Sequence, residues 1–194
     1  NETQNLVYGF DYRHVNTDNT SSGTENYNRD IDQGALFARY AVNLSPEISS
    51  NLGLRQDFNN LANGSFTSPS AGLLFKATDS TTLRANYARN FRVPSGIDLY
   101  YPGFSNPNLT PEISNSFDIG IDQNFFDRAL FRLTYFTNTI DDAIVPDATF
   151  TPSNIGKVRN QGLTAELTMQ FTKSLYGFVN YTLNNSEILE DANP

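Results

Sequence analysis

The sequence alternates most regularly at Leu163-Thr164-Ala165-Glu166-Leu167-Thr168-Met169-Gln170-Phe171. Every odd position in this stretch is apolar and every even position is polar, so nine consecutive residues follow a period of two. Side chains of a β-strand alternate between its two faces with that period, whereas a helix would place Glu166 between apolar neighbours. The stretch therefore predicts a strand with one apolar face and one polar face.

The same alternation recurs along the rest of the chain. The apolar side chains that would share one face are Leu6, Tyr8, Phe10 and Tyr12; Leu36, Ala38, Tyr40, Val42 and Leu44; Leu52 and Leu54; Ala71, Leu73, Phe75 and Ala77; Leu83, Ala85 and Tyr87; Phe117, Ile119 and Ile121; Phe131, Leu133 and Tyr135; and Val179, Tyr181 and Leu183. Four aromatic residues, Phe37, Phe136, Tyr176 and Phe178, fall on the polar face instead. We predict nine strands, most of about 9–13 residues, which is longer than the five or six residues usual in soluble sheets.

The predicted connections alternate in length. Short turns are expected at Ser45-Pro46-Glu47, Thr78-Asp79-Ser80, Phe126-Asp127-Arg128 and Thr172-Lys173-Ser174, and long polar loops at about 15–32, 59–67, 91–113 and 141–156. Outer-membrane barrels sort their loops in this way, while soluble sandwiches have no reason to do so. Aromatic residues near the strand ends, Tyr12, Phe58, Tyr87 and Phe91, lie where an interfacial girdle would be. The pattern favours an antiparallel transmembrane β-barrel over a soluble β-sandwich.

Composition and motifs argue against several other classes. The absence of Cys removes disulfides, thiolate nucleophiles and cysteine-built zinc sites, and a net charge of −8 argues against nucleic acid as a partner. The chain opens at Asn1 without the basic and apolar regions of a signal peptide, and its apolar runs are too short for a membrane helix. His14, the single histidine, has no nucleophile motif near it, and no phosphate-binding glycine pattern appears. We therefore expect neither an enzyme nor catalytic residues.

Three sequence boxes resemble those of a known family. The first is Phe91-Arg92-Val93-Pro94, the second is Asn106-Pro107-Asn108-Leu109-Thr110-Pro111-Glu112, and the third runs from Asn154-Ile155-Gly156 through Gly162 to Glu166. They resemble the F-R-A-P, N-P-N-L-x-P-E and N-x-G-x-A-x-x-x-G-x-E boxes of TonB-dependent outer-membrane receptors, in the same order. Val93 and Val158 stand where the family more often has Ala. The resemblance covers nearly the whole chain and is strongest over residues 66–183.

The resemblance implies an all-β fold: about nine antiparallel transmembrane strands of a roughly 22-strand barrel, with residues 1–194 forming part of that one barrel domain. A complete receptor also has a signal peptide, an energy-coupling box and a plug domain. The expectation is therefore a piece from the middle of the barrel, ending at Asp191–Pro194 in another long loop.

The resemblance also implies a function. The expected location is the bacterial outer membrane, with lipid around the barrel and an inner-membrane energy-coupling protein as a partner through the missing plug. The expected activity is active uptake of a ferric siderophore or cobalamin. Haem is disfavoured, because haem receptors of this kind tend to carry a His between the first two boxes and none lies there. A passive outer-membrane porin or scaffold and a soluble β-sandwich adhesion module remain as alternatives.

The loop at 91–113 contains the candidate ligand contacts. Arg92 is expected to pair with an anionic chelate, and Tyr100, Tyr101 and Phe104 are expected to pack on a flat or macrocyclic ligand. Structural roles are assigned to the box residues, because these boxes recur in receptors for different ligands. The residues with an assigned structural role are Phe91, Pro94, Asn106, Pro107, Asn108, Leu109, Pro111, Glu112, Asn154, Gly156, Gly162 and Glu166.

Two sets of charged residues remain. Those on the polar strand faces are expected to pair with one another in a hydrated lumen wall, the alternatives being contacts to the plug or a transport path. They are Asp11, Arg13, Arg39, Arg55, Asp57, Arg84, Asp118, Asp122, Arg132 and Glu166. The acidic residues Asp141, Asp142 and Asp147 suggest Ca²⁺, which takes carboxylate oxygens, but their spacing matches no known ligand loop. No resident cofactor is expected.

Overall fold

The computed structural model describes residues 4–21, 24–61, 64–126, 128–147 and 149–190. These residues form a nine-stranded antiparallel sheet in which each long strand pairs with the next long strand along the chain. The long strands are β1 (Gln4–Ser21), β2 (Thr24–Asn43), β3 (Ile48–Asn59), β4 (Gly64–Lys76), β5 (Thr81–Arg92), β6 (Glu112–Phe125), β7 (Ala129–Asp141), β10 (Lys157–Gln170) and β11 (Tyr176–Glu190). A helical turn, α1 (Gly96–Tyr100), follows β5, and a separate hairpin of β8 (Ile144–Pro146) and β9 (Pro152–Asn154) follows β7. Nowhere in these ranges is a helix long and apolar enough to cross a membrane.

The strand register places the predicted apolar side chains on one face, the apolar face, and most charged side chains on the other, the polar face. Leu163, for example, lies between Tyr135 of β7 and Leu183 of β11. The side chains of the apolar face are open: Phe10 is 77% exposed and Val179 is 61% exposed. The accessible surface of the chain is 12888 Å², against roughly 9,200 Å² for a soluble monomer of the same mass. A soluble sandwich would cover this face with a second sheet, so that alternative is wrong.

Short turns join the strands at one end of the sheet, the turn end. In three of the four turns a hydroxyl group holds the chain in place. Ser45 Oγ accepts hydrogen bonds from the N–H groups of Glu47 and Ile48, Thr78 Oγ1 from those of Ser80 and Thr81, and Thr172 Oγ1 from those of Ser174 and Leu175. The fourth turn closes with a hydrogen bond from the Arg128 N–H to the Phe125 carbonyl, 3.1 Å long. The four predicted turns are confirmed for the residues that the structure describes; Asp127, in the middle of the fourth, lies outside them.

The opposite end, the loop end, agrees with prediction only in part. The loops predicted at 91–113 and 141–156 are confirmed as residues 93–111 and 142–156. The loop predicted at 15–32 is wrong, because β1 continues to Ser21 and β2 begins at Thr24; the loop predicted at 59–67 is also wrong, because β4 begins at Gly64. The strand lengths predicted at about 9–13 residues hold for β3, β4, β5 and β7, which have 12 or 13 residues, and are too short for the other five, which have 14 to 20. The loop expected at 191–194 lies outside the described residues.

Exposed aromatic rings on the apolar face mark where the apolar band ends. Tyr12 is 70% exposed, Phe58 48% and Tyr87 39%, as expected for residues at a membrane interface. Phe91, predicted to belong to this girdle, is half-buried and stacks on Phe66 with ring centroids 4.4 Å apart. We take the membrane-spanning part of the sheet to end at the level of Tyr12, Phe58 and Tyr87, so that the β1–β2 hairpin continues beyond it.

Two aromatic residues on the polar face lie opposite glycines. Phe37 pairs with Gly9, and Phe136 pairs with Gly162. A Cβ atom on Gly9 would come within 2.8 Å of the Phe37 ring, and one on Gly162 within 2.7 Å of the Phe136 ring. Each ring therefore covers bare backbone on the next strand, which explains how these aromatics fit on the polar face.

Candidate functional site

The loop 93–111 begins with a well-capped helical turn. Ser95 Oγ accepts a hydrogen bond from the Asp98 N–H at 3.2 Å, and Asp98 Oδ2 accepts one from the Ser95 N–H at 2.9 Å. This reciprocal arrangement is a capping box, which satisfies two of the free donors at the start of a helix. Pro94 is fully buried and Leu99 is 5% exposed, so the turn also has a small apolar core. The start of the loop is thus held in one conformation.

The β1–β2 hairpin braces α1 from one side. Tyr27 of β2 is 8% exposed, and its ring lies 6.1 Å from the ring of Tyr100. The guanidinium group of Arg29 lies over the Tyr100 ring at 4.8 Å from its centroid, a cation–π contact. Tyr100, predicted as a ligand contact, is therefore engaged by the neighbouring hairpin. The extension of β1 and β2 that supplies Tyr27 and Arg29 was missed from the sequence.

The second and third boxes bind each other. Asn154 Oδ1 accepts a hydrogen bond from the Thr110 N–H at 2.9 Å, and Asn154 Nδ2 donates to the carbonyl oxygens of Thr110 (3.0 Å) and Asp142 (2.6 Å). Next to this contact, the Asp142 N–H donates to the Gly156 carbonyl at 2.6 Å. Gly156 has φ +59°, a conformation that favours glycine. We call the contacts of Asn154 with Thr110 and Asp142 the loop interlock.

Asn106 adds a second connection between the same two loops. Its N–H donates to the Asp98 carbonyl at 2.7 Å, and its side-chain Nδ2 donates to the Pro152 carbonyl at 3.1 Å. Its Oδ1 accepts a hydrogen bond from the Asn108 N–H at 3.0 Å, and Leu109 of the same box is 8% exposed. The geometry of the boxes is consistent with the structural roles expected for them.

Arg92 and Glu112 close the base of the loop. Arg92 Nε and Nη2 donate to the two oxygens of Glu112, each at 2.6 Å, and Glu112 also accepts from the Ile144 N–H at 2.6 Å. Burial raises the pKa of Glu112, but the hydrogen bonds from Arg92 and Ile144 outweigh burial and leave the pKa below its usual value. Two of the three guanidinium nitrogens of Arg92 are thus occupied within the protein, so its predicted role as a ligand contact must rely on the third.

Several apolar side chains at the loop end remain open. Of the predicted contacts, Phe104 is 53% exposed and Tyr101 is half-buried. Sequence reasoning missed Phe150, which is 75% exposed with φ +64° at the tip of the β8–β9 hairpin. Asp147 holds this tip, because its carboxylate accepts hydrogen bonds from the Thr149 hydroxyl and from the N–H groups of Thr149 and Thr151. These hydrogen bonds lower the pKa of Asp147 below its usual value.

The three acidic residues suggested for Ca²⁺ do not converge. Asp141 pairs with Lys157 at 3.1 Å, while Asp147 is engaged by the threonines of its own turn. Within the described ranges, no group of three or more acidic or histidine side chains could hold a metal ion.

Most charges on the polar face pair with one another, as expected. Arg55 contacts Asp11 at 2.6 Å and Asp57 at 2.9 Å. Arg84 contacts Asp122 at 2.9 Å, Arg132 lies between Asp122 (3.4 Å) and Glu166 (4.0 Å), and Asn86 donates to Asp118 at 2.8 Å. Arg13 and Arg39 make no ion pair within 4 Å with any residue that the structure describes.

A cavity of about 580 Å³ opens near the loop end of β1, β2 and β3 and the beginning of the loop 93–111. It is lined by Asp11, Arg13, Gln33, Gly34, Arg55, Asp57, Phe58, Asn59, Phe91, Arg92 and Val93. Three of these residues are arginines, and Arg55 and Arg92 already have carboxylate partners. Arg13 is therefore the lining cation with most freedom to meet a bound anion.

His14 lies two residues beyond Tyr12, outside the membrane-spanning part of β1. Its Nδ1 atom lies 2.9 Å from Asp32 Oδ1, and its Nε2 atom lies 3.8 Å from Asp30 Oδ1. The hydrogen bond and charge of Asp32 raise the pKa of His14 above its usual value. Both partners are carboxylates, which is not the arrangement of a nucleophilic triad.

An antiparallel sheet with an open apolar face, short turns at one end and braced loops at the other defines the wall of a transmembrane β-barrel. The chain belongs to the TonB-dependent receptor family: the family model "TonB dependent receptor-like, beta-barrel" matches residues 1–194. Members of this family are receptors and transporters of the outer membrane.

Individual relatives agree with this assignment. The chain is 28% identical over 169 residues to the vitamin B12 transporter BtuB of Vibrio vulnificus, covering 83% of this chain and 27% of that protein. It is 32% identical over 146 residues to the ferric-pyoverdine M114 receptor PbuA of Pseudomonas sp., covering 72% of this chain and 17% of that protein. The crystal structure of the siderophore receptor PirA from Pseudomonas aeruginosa superimposes with a TM-score of 0.83 at 25% identity, covering 94% of this chain and 37% of that chain. The chain thus spans less than a third of the length of either curated relative.

Proposed function

We propose that this chain is part of the barrel wall of an outer-membrane receptor that takes up a ferric siderophore or cobalamin. The observation that carries the proposal is that the loop end has both the loop interlock and a cavity lined by Arg13, Arg55 and Arg92. Braced loops at the same end as a polar cavity suit capture of a scarce ligand, because less conformational freedom is lost on binding. A passive pore has no need of such a site.

The chemistry of the loop end fits a bulky ligand with anionic groups. Phe104 and Phe150 offer exposed aromatic faces for a flat or macrocyclic body. Arg13, which makes no ion pair with the described residues, offers a cation for an anionic chelate. Both ligand classes named for the relatives, vitamin B12 and ferric pyoverdine, fit this description.

The proposal places each face of the sheet in its own surroundings. The apolar face meets lipid in the outer membrane, and the polar face, with its paired charges, lines the lumen. The plug domain of the whole receptor would contact the polar face and link it to the inner-membrane energy-coupling protein. In this proposal, residues 1–194 are part of one barrel domain that contacts lipid on its outside and the plug on its inside.

Growth of a receptor-deletion strain tests the proposal. The full-length receptor is expected to restore growth when either a ferric siderophore is the sole iron source or cobalamin is the required vitamin, and a protonophore is expected to abolish uptake. Uptake that continues without inner-membrane energy would support the porin alternative, and restored growth with neither ligand would contradict both ligand classes.

Variants of the same receptor test the site. Arg13→Gln and Phe104→Ala are each expected to weaken ligand binding by about fivefold to tenfold, the effect of about 1–1.4 kcal/mol. Lys76→Gln makes a matched control, because Lys76 is an exposed cation at the turn end, far from the cavity. If all three variants bind the ligand with the same affinity, Arg13 and Phe104 are not part of the binding site.

A further inference from the structure

A second cavity lies at the turn end, on the apolar face. Its volume is about 780 Å³, and it lies between the turn that joins β6 to β7 and the end of β10. Its lining is Phe125, Phe126, Arg128, Ala129, Leu167, Met169, Gln170 and Phe171. We call this cavity the turn-end groove. It is far along the sheet from the loops and plays no part in the function proposed above.

The register explains why the groove forms there. One row of the apolar face runs from Phe125 through Ala129 and Met169 to Gly177. Ala129 is the small residue of this row that lines the groove, so the surface dips between Phe125 on one side and Met169 and Phe171 on the other.

The turn beside the groove differs from the other three. It has no hydroxyl group closing it, and Phe126 adopts φ +51°, a conformation that is unfavourable for a bulky residue. This conformation leaves the Phe126 side chain 95% exposed. A ring held outward beside an apolar face at the end of the membrane-spanning strands suits the bilayer interface, where aromatic residues concentrate.

Arg128 gives the groove a positive charge at its mouth. Its side chain is exposed and makes no ion pair with any residue in the described ranges; Asp127, its neighbour in sequence, lies outside them. Lys173 stands on the neighbouring turn and is also exposed. An apolar groove with a cation at the level of the lipid headgroups complements a phospholipid, whose acyl chains and phosphate are joined through glycerol.

We propose that the turn-end groove binds one phospholipid of the membrane leaflet at the turn end. An acyl chain lies along Leu167, Met169 and Phe171, and the phosphate diester accepts hydrogen bonds from Arg128. The proposal rests on the outer-membrane location proposed above, but it does not depend on which nutrient the receptor binds.

Lipid titration of the purified full-length receptor tests the proposal. Native mass spectrometry in a phosphate-free detergent counts bound dioleoyl-phosphatidylglycerol, with dioleoylglycerol as the probe that lacks phosphate. We expect one tightly retained phosphatidylglycerol per receptor from this groove and much weaker retention of dioleoylglycerol. Equal retention of the two lipids would overturn the contact between Arg128 and the phosphate.

Two variants test the two halves of the groove separately. Arg128→Gln removes the charge and should weaken phosphatidylglycerol binding by about fivefold, which corresponds to the ~1 kcal/mol attraction of one basic side chain to anionic lipid. Ala129→Leu adds bulk to a small lining residue of the groove while keeping the charge, and should abolish the retained lipid. Lys76→Gln, an equal change of charge at the turn end, should bind as the wild type does.

The outcomes separate this proposal from the proposed function. Heat-shifted mobility on unboiled gels confirms that each variant has a folded barrel. Wild-type retention of phosphatidylglycerol in both Arg128→Gln and Ala129→Leu would overturn the lipid site even if uptake is normal. If the receptor restores growth with neither nutrient but still retains phosphatidylglycerol as expected, only the proposed nutrient would be contradicted.

Discussion

Replacing Asn154 with alanine should loosen the two loops that it joins. The change removes three hydrogen bonds, to the Thr110 N–H and to the carbonyl oxygens of Thr110 and Asp142. Each is worth about 0.5–1.5 kcal/mol net, and because these groups can be rehydrated at the surface, the lower part of the range applies. The expected cost is about 2 kcal/mol for local opening of the loop interlock, or roughly a thirtyfold increase in the open population.

Hydrogen exchange on the full-length receptor in nanodiscs measures this opening. The useful amides are those of Asp142 and Ile155, which donate to the carbonyls of Gly156 and Ala143 and do not touch the Asn154 side chain. Their exchange should become roughly thirtyfold faster in Asn154→Ala. Asn108→Ala is the matched control, because it changes an exposed asparagine of the second box outside the interlock.

Unchanged exchange at Asp142 and Ile155 in Asn154→Ala would refute the reasoning, because it would show that the loops are held without the interlock. Equal acceleration in Asn108→Ala would refute it in another way, since any polar change in the boxes would then have the same effect.

Three further changes test the sheet. Gly162→Ala should lower the free energy of unfolding in urea by about 1–3 kcal/mol, because the new Cβ would collide with a backbone carbonyl of the next strand. Gly53→Ala is the control, since its Cβ meets only a serine hydroxyl that can rotate. Similar losses in the two variants would contradict the predicted collision at Gly162. In lipid vesicles, Ile119→Arg on the apolar face should lower the free energy of unfolding by about 2–4 kcal/mol. Asn180→Arg on the polar face should lower it by less than about 0.5 kcal/mol. Equal losses would argue against lipid on the apolar face. The pKa of His14 is raised in the folded state, so its ion pairs stabilise the β1–β2 hairpin fully below about pH 6.5 and are lost as pH rises through the raised pKa. Hydrogen exchange of the hairpin amides should therefore accelerate as pH rises from about 6.5 through the raised pKa. The variant His14→Asn should remove this pH dependence.

The sheet was predictable because lipid and lumen impose opposite demands on alternate residues. That signal disappears where both faces of a strand meet water. In the outer part of β1, Asn16, Thr17, Asp18 and Asn19 are all polar, so the sequence there is typical of a loop although the strand continues to Ser21. The error at 15–32 therefore has a physical cause: the ladder of backbone hydrogen bonds extends beyond the membrane, while the hydrophobic pattern ends with it.

For the candidate site, the sequence indicates which residues matter but not which atoms they contact. The boxes point to Asn106, Glu112 and Asn154, but their partners are backbone atoms or residues far away in the chain. Asn154 and Thr110 are separated by 44 positions. Such pairs follow from the strand register at β6, β7 and β10, which no local pattern contains. Phe37 on the polar face is similar, because its fit depends on Gly9 of the neighbouring strand.

The loop interlock divides the loop end into a part that anchors the loops and a part that takes no role in the anchoring. The hydrogen bonds of the interlock and of the neighbouring Asn106 use Asn106, Thr110 and Asn154 together with backbone carbonyls, and none of the side chains in 101–105 takes part. Mutation can therefore exchange that short segment without disturbing its attachment to the barrel. One scaffold can in this way acquire new ligands by replacing a few residues at a time, and the same segment is the natural place to graft a designed binding sequence.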